Sequence, residues 1–154
     1  MIRARAVTVS DRSAAGGRPD TSGPLLVELL NEHASCDGPV VVSDDVAEIS
    51  SAVRRAIDEG IDVVVTTGGT GIGPRDVTPE AVKPLLDKEI PGIADAVRAS
   101  GDVPTAVLSR GVAGIAGHTL VVTLPGSPGG VRDGMAVLGP LLRHAVAQLH
   151  GGDH

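Results

Sequence analysis

The chain has 154 residues and a formal net charge of −6, from 13 lysines and arginines against 19 aspartates and glutamates. We expect a chain of this length to form one domain, residues 1–154, and its acidic balance argues against a nucleic-acid partner. The sequence contains no Phe, Trp or Tyr, so only aliphatic side chains, backbone, His or Arg of this chain can sandwich a bound ring system.

Five apolar runs rich in β-branched residues mark the predicted strands. In chain order they occupy residues 4–10, 38–43, 61–67, 105–109 and 118–124. Because the runs are almost continuously hydrophobic, we expect strands that are covered on both faces, as in a parallel sheet.

Helical patterns separate the runs. They predict helices at residues 24–33, 46–60, 79–89, 93–101 and about 130–149. We expect Thr78 to cap the third helix, Pro84 to shorten or kink it, and Gly139-Pro140 to bend the last one. The alternation of strands and helices predicts an α/β fold with helices on both faces of the sheet.

Localisation and cysteine chemistry follow from what the sequence lacks. No apolar run approaches the roughly 20 residues of a membrane span, so we expect no membrane partner. The first residues turn polar too soon for a signal peptide, which favours a cytoplasmic protein. The single cysteine, Cys36, excludes an intrachain disulfide and a cysteine-based metal site.

A glycine-rich loop, TTGGTGIGPRDVTP at residues 66–79, follows the third predicted strand. Ligands of open α/β sheets bind beyond the carboxyl ends of the strands, where this loop lies. It lacks the lysine of a Walker A motif and the glycine spacing of a dinucleotide fingerprint. Its glycines would still let backbone N–H groups approach a ligand closely, although a tight strand-to-helix turn is the alternative.

Two acidic residues at strand ends are candidate magnesium ligands. Asp76 could bind Mg²⁺ beside a phosphate, or it could favour the start of the next helix or pair with Arg75. Asp45 and Glu48 have the spacing of a capping box, which would leave Asp44 as the free carboxylate.

A second glycine-rich turn, PGSPGG at residues 125–130, opens the last predicted helix. Its N–H groups and the Ser127 hydroxyl could bind an anion, or the segment could serve only as a turn and cap. Four arginines are further candidates for anion binding: Arg12, Arg75, Arg98 and Arg110.

The runs TTGGTGIGPRDVTPEA, IPGIADAVR, VLSR and LPGSP resemble the MogA/MoaB family of molybdenum cofactor biosynthesis. The opening SDRSAAGGRPDTSG is similar to the first loop of the same family, so the resemblance covers residues 4 to 148. It implies the molybdopterin-binding fold, a three-layer α/β sandwich with a mostly parallel central sheet and helices on both faces. It also implies a homotrimer or hexamer.

The resemblance implies an activity as well. Active members of the family transfer AMP from Mg-ATP to the terminal phosphate of molybdopterin, and a later enzyme inserts molybdate. Some relatives called MoaB keep the fold without the activity, so a non-catalytic molybdopterin-binding or carrier protein is the alternative, and a vestigial pocket in a structural oligomer is a third.

The match to the family motifs implies a role for individual residues of this chain. Asp44 and Asp76 match the two acids that hold magnesium and serve catalysis. We expect substrate-binding residues at Ser10, Gly68, Gly69, Thr70, Gly71, Arg75, Ser109, Pro125, Gly126 and Ser127. The chain departs from the common pattern at Ser43, where proline is usual, and at Gly129, where lysine is frequent.

Overall fold

The computed structural model describes residues 1–152, in which six strands form one sheet in the order β2-β1-β3-β6-β5-β4. The strands are β1 Arg3–Val9, β2 Ser35–Val42, β3 Val63–Thr67, β4 Lys88–Glu89, β5 Ala113–Ala116 and β6 Thr119–Leu124. The first three and β6 run parallel, whereas β5 is antiparallel to both β4 and β6. The prediction of a mostly parallel sheet is therefore confirmed.

Seven α-helices accompany the sheet in the described residues. They are α1 Asp11–Ala14, α2 Ser22–Leu30, α3 Val46–Asp58, α4 Thr78–Val82, α5 Pro91–Ala99, α6 Pro128–Leu138 and α7 Leu142–Leu149. Short 3₁₀ turns follow at Lys83–Leu85, Pro104–Leu108 and Gly139–Leu141. Across residues 1–152, no helix has the length and apolar character needed to cross a membrane.

Helices cover both faces of the sheet because buried side chains alternate along its central strands. On β6, Leu120 and Val122 pack in a core shared with α2, α5, α6 and α7. Val121 points the other way, into a second core that includes Ile49 and Val53 of α3 and residues of α4. The two cores confirm the predicted three-layer α/β sandwich, and both are aliphatic.

One predicted strand is wrong. Residues 105–109 lie in and beside the 3₁₀ turn Pro104–Leu108, and Val107 is 73% exposed. The run is apolar but not buried, and Pro104, which precedes it and begins the 3₁₀ turn, cannot donate to a sheet hydrogen bond. The strand that pairs with β6 is β5 instead, whose AGIA sequence carries small residues with weak strand preference.

The helix predicted at residues 79–89 is also shorter than expected. It ends at Val82, and Pro84 lies in the 3₁₀ turn that follows. Lys88–Glu89 then joins the edge of the sheet. Thr78 makes no side-chain cap, because its hydroxyl donates to the carbonyl oxygen of Gly68 at 2.9 Å.

Two neighbouring leucines at the start of α7 test the packing of the first core. Leu142 is fully buried and Leu141 is 41% exposed. We expect Leu142→Ala to lower the free energy of unfolding by about 2–5 kcal/mol, the range for a buried leucine. Leu141→Ala, the matched control, should cost far less. Urea unfolding of both variants makes the measurement, and equal losses would contradict the assignment of the core.

Candidate functional site

The loops that follow the parallel strands enclose two adjoining cavities. The first, here called the acidic cavity, has a volume of about 420 Å³, and its lining includes Asp11, Asp20, Asp44, Asp76, Arg12, Arg18 and Arg75. The second, the apolar cavity, has about 440 Å³, and its lining includes Val97, Val103, Ala106, Leu108 and Pro125. Gly69, Asp76 and Gly126 line both cavities. These three residues form a shared wall.

All twelve residues expected at the site line one or both cavities. Those on the acidic cavity are Ser10, Asp44, Gly68, Gly69, Arg75, Asp76 and Gly126. Those on the apolar cavity are Gly69, Thr70, Gly71, Asp76, Ser109, Pro125, Gly126 and Ser127. The fold therefore brings together segments that are far apart in the sequence.

Two glycines after β3 have a backbone that other residues rarely adopt. Gly68 has φ of +107° and Gly69 has φ of +70°. A Cβ atom at Gly68 would collide with the carbonyl oxygen of Val9, and one at Gly69 would lie 3.2 Å from Asp44 Oδ1. The glycines thus allow the loop to lie against β1 and the carboxylate of Asp44.

Side-chain hydroxyls hold the second glycine turn through its carbonyl groups. Thr67 Oγ1 donates to Pro125 O at 2.7 Å, and Ser22 Oγ donates to Gly126 O at 2.8 Å. Gly68 donates its N–H to Leu124 O. By contrast, the N–H groups of Gly69, Thr70 and Gly71 donate to no protein oxygen within residues 1–152, so they are free to bind an anion.

Asp44 lies in a network that links three loops. Its Oδ2 accepts the N–H of Asp11 at 2.9 Å, and its own N–H donates to Asp11 Oδ1 at 2.9 Å. Asp45 caps α3 by accepting the N–H of Glu48 at 2.9 Å. The expectation that Asp45 caps the helix and leaves Asp44 free of that task is confirmed.

Arg75 does not pair with its neighbour Asp76. Its Nε and Nη2 donate to the two carboxylate oxygens of Asp11, at 3.0 and 3.1 Å. These hydrogen bonds hold the pKa of Asp11 below its usual value. Asp11 begins α1, two residues after the end of β1. Only this position beside Ser10, close to a strand end, could have drawn attention to it in the sequence.

Burial raises the pKa of Asp44, and the negative charges of Asp11 and Asp76 add to the effect. An ionised Asp44 therefore lacks full compensation within the protein. Asp44 and Asp76 offer oxygen ligands of the kind that Mg²⁺ takes from one or two carboxylates together with substrate phosphates. Residues 1–152 contain no group of three or more His, Cys, Asp or Glu placed to hold a metal ion.

Asp76 is fixed by its own loop and by Arg110. Its Oδ2 accepts the N–H of Gly73 at 2.9 Å, and Arg110 Nη2 donates to its carbonyl oxygen at 2.8 Å. Arg110 also donates to Gly71 O and to the carboxylate of Glu80. The Arg110 guanidinium therefore already holds the loop, and anion binding by Arg110 stays a prediction.

Other predicted residues also have local structural partners. Arg98 donates to Gly111 O at 2.9 Å and pairs with Asp95. Anion binding by Arg98 stays a prediction. Ser10 caps α1 and Ser127 caps α6, each by accepting an N–H three residues ahead. Ser109 Oγ donates to Thr70 Oγ1 at 3.2 Å, which ties residues 104–110 to the glycine loop.

Asp20 is a further residue of the acidic cavity that the sequence interpretation missed. Its carboxylate accepts the Thr8 hydroxyl at 2.8 Å and the Gly23 N–H at 2.9 Å. The sequence did contain an indication of this role, because an aspartate just before a helix commonly accepts a hydrogen bond from a nearby backbone N–H. Asp20 thereby holds the end of the first loop against β1.

Comparison with known proteins gives consistent matches. The family model described as "Probable molybdopterin binding domain" matches residues 5–144. A Synechococcus elongatus protein named molybdenum cofactor biosynthesis bifunctional protein is 42% identical over 99% of the chain, which spans 49% of that relative. A Pyrococcus furiosus protein named molybdopterin adenylyltransferase is 42% identical, with 90% of this chain and 88% of that protein covered.

A solved structure is similar throughout. It is the molybdopterin biosynthesis protein of Mycobacterium abscessus, which is 55% identical, with a TM-score of 0.91 and coverage of 96% and 95% of the two chains. The chain spans about half the length of the bifunctional relative but most of the length of the other two proteins.

The need for glycine at position 68, which has a positive φ, can be tested by comparison with Gly129, which has no close neighbour. We expect Gly68→Ala to cost at least about 1–3 kcal/mol, because alanine is unfavourable at this φ and its Cβ would meet the Val9 carbonyl. A Cβ at Gly129 in α6 meets nothing within 4 Å, so Gly129→Ala should be neutral or stabilising by up to about 1 kcal/mol. Thermal unfolding compares them, and a harmless Gly68→Ala would contradict the loop geometry.

Asp44 should reduce the stability of the fold when it is ionised. Because its pKa is raised in the folded state, stability is lost as the pH rises through that raised pKa. Asp44→Asn, which keeps an acceptor for the Asp11 N–H, should therefore have a higher Tm than the wild type at neutral pH. The difference should vanish below the ordinary aspartate pKa of 3.8. A lower Tm of the variant at neutral pH would refute this.

Proposed function

Because the chain belongs to the molybdopterin-binding domain family of molybdenum cofactor biosynthesis, we propose that it is a molybdopterin adenylyltransferase. In this reaction a phosphate oxygen of molybdopterin attacks the α-phosphorus of ATP. The bond from the α-phosphorus to the bridging oxygen breaks, and pyrophosphate leaves with the bonding electrons. The products are adenylated molybdopterin and pyrophosphate. The name of the Pyrococcus furiosus relative supports the proposal.

The observation that carries the proposal is the shared wall between the two cavities. Transfer of a group between two substrates requires two sites whose reacting atoms meet, and Gly69, Asp76 and Gly126 line both cavities. Each cavity has a volume of about 400 Å³ or more, within the usual range for small-molecule sites. Because the cavities adjoin at these three residues, neither substrate would have to move from one cavity to the other for the transfer.

The two cavities differ in chemistry. The apolar cavity offers Val97, Val103 and Leu108 to the faces of a planar ring system, in a chain that has no aromatic side chain for stacking. The acidic cavity combines arginines with carboxylates, which suits a polyphosphate bound together with a cation. We therefore place the phosphates at the shared wall and one ring system in the apolar cavity.

The residues of the chain would act mainly by positioning. The free N–H groups of Gly69, Thr70 and Gly71 would donate to phosphate oxygens. Asp44 and Asp76 would hold Mg²⁺ together with the triphosphate, and the bound ion would neutralise phosphate charge. A phosphate monoester is itself nucleophilic near neutral pH, so the reaction requires no strong general base and no covalent enzyme intermediate.

Substitution of Asp76 separates catalysis from binding. We expect Asp76→Asn to abolish adenylation and to leave pterin binding largely intact, because the change removes charge but keeps an acceptor for the Gly73 N–H. The assay mixes protein, molybdopterin, Mg²⁺ and ATP and detects pyrophosphate and adenylated pterin. Asp95→Asn is the matched control, since Asp95 is 70% exposed and lines neither cavity.

The same assay decides between the proposal and its alternative. Pyrophosphate release by the wild type and its loss in Asp76→Asn would support the transferase. Pterin binding without pyrophosphate release would instead identify a carrier protein. Full activity of Asp76→Asn would refute the role assigned to this acid.

A further inference from the structure

Asp11 and Arg75 form an ion pair on the wall of the acidic cavity. Two of the three guanidinium nitrogens of Arg75 donate to the Asp11 carboxylate, although 64 residues separate Asp11 and Arg75 in the sequence. The side chains are 41% exposed at Asp11 and 68% exposed at Arg75. An ion pair this exposed adds little to folding stability. A contribution to stability therefore does not explain the position of Arg75 on this wall.

Arg75 differs in this respect from the two arginines near the apolar cavity. Arg98 and Arg110 donate to carbonyl oxygens and hold loops in place. The Arg75 guanidinium contacts only a carboxylate among the described residues. It can leave that partner without breaking a bond to the backbone, and a phosphate group offers the guanidinium the same bidentate geometry as the carboxylate. A polyphosphate also carries more negative charge than one carboxylate.

We propose that Asp11 is the resting partner of Arg75, and that a bound polyphosphate takes the Arg75 guanidinium from it. The inference rests on the proposed function for the polyphosphate class of ligand. Asp11 would keep its two hydrogen bonds with Asp44 after the exchange, because Arg75 takes part in neither. Asp11 is thus a positioning residue, which holds Asp44 and releases Arg75.

The exchange has a consequence for the cation. Once Arg75 has left, the charge of Asp11 is no longer neutralised, and it adds to the negative potential around Asp44. Arrival of the polyphosphate would then strengthen cation binding at Asp44 in two ways: through its own oxygens and through the charge uncovered at Asp11. Polyphosphate and Mg²⁺ would bind with positive coupling, and the coupling is reciprocal.

Binding of inorganic tripolyphosphate tests the proposal without any adenylation. Calorimetry in the presence of a chelator would compare the wild type with Asp11→Asn, Arg75→Ala and the double variant. Asp11→Asn removes the competing charge, so it should bind tripolyphosphate about 3- to 10-fold more tightly. Arg75→Ala should bind about 10-fold more weakly, and the double variant should match Arg75→Ala. Asp95→Asn, which also removes one exposed acid, should bind like the wild type.

A purely structural role of Asp11 would give a different pattern. Weaker or unchanged binding by Asp11→Asn, additive effects in the double variant, or no binding by the wild type would overturn the proposal. Asp11→Ser removes the same charge and serves as a second variant if Asp11→Asn does not fold. Tighter binding by Asp11→Asn in a protein that releases no pyrophosphate would uphold this inference while refuting the transferase.

Discussion

The close packing of two glycine turns is the contact on which the site depends. Gly68 follows β3 and Gly126 follows β6, and a Cβ at Gly126 would lie 3.1 Å from the Gly68 Cα. The parallel pairing of β3 with β6 brings these turns side by side, and Thr67 joins them through the carbonyl of Pro125. A side chain at Gly126 would press on the Gly68 backbone, and one at Gly68 would collide with the carbonyl oxygen of Val9, so a substitution at either glycine would disturb the wall between the two cavities.

Around this contact, charge is distributed unevenly. Carboxylates lie on one side of the wall and aliphatic side chains on the other. The same backbone segments therefore border one charged and one apolar cavity. Ionised Asp44 is costly to the folded protein, as its raised pKa shows. Such a cost is typical of residues that serve a ligand rather than the fold.

Much of the architecture could be predicted from periodicity, because the central strands are buried on both faces and read as continuous apolar runs. The strand predicted at residues 105–109 is wrong because these apolar residues do not enter a core: Val107 is exposed, and Ala106 and Leu108 line the apolar cavity. The choice of Asp44 over Asp45 followed from capping, which is local. The partner of Arg75 could not be predicted, because Asp11 comes near it only after β1 and β3 pair in the sheet.

The aliphatic core has an optical consequence. Without Phe, Trp or Tyr among the 154 residues, the chain contributes almost no near-ultraviolet absorbance and no intrinsic fluorescence. A pterin or a nucleotide in either cavity would be the dominant chromophore of the complex. Its absorbance would be measured almost without a protein background, so the occupancy of the cavities could be followed by absorption spectroscopy.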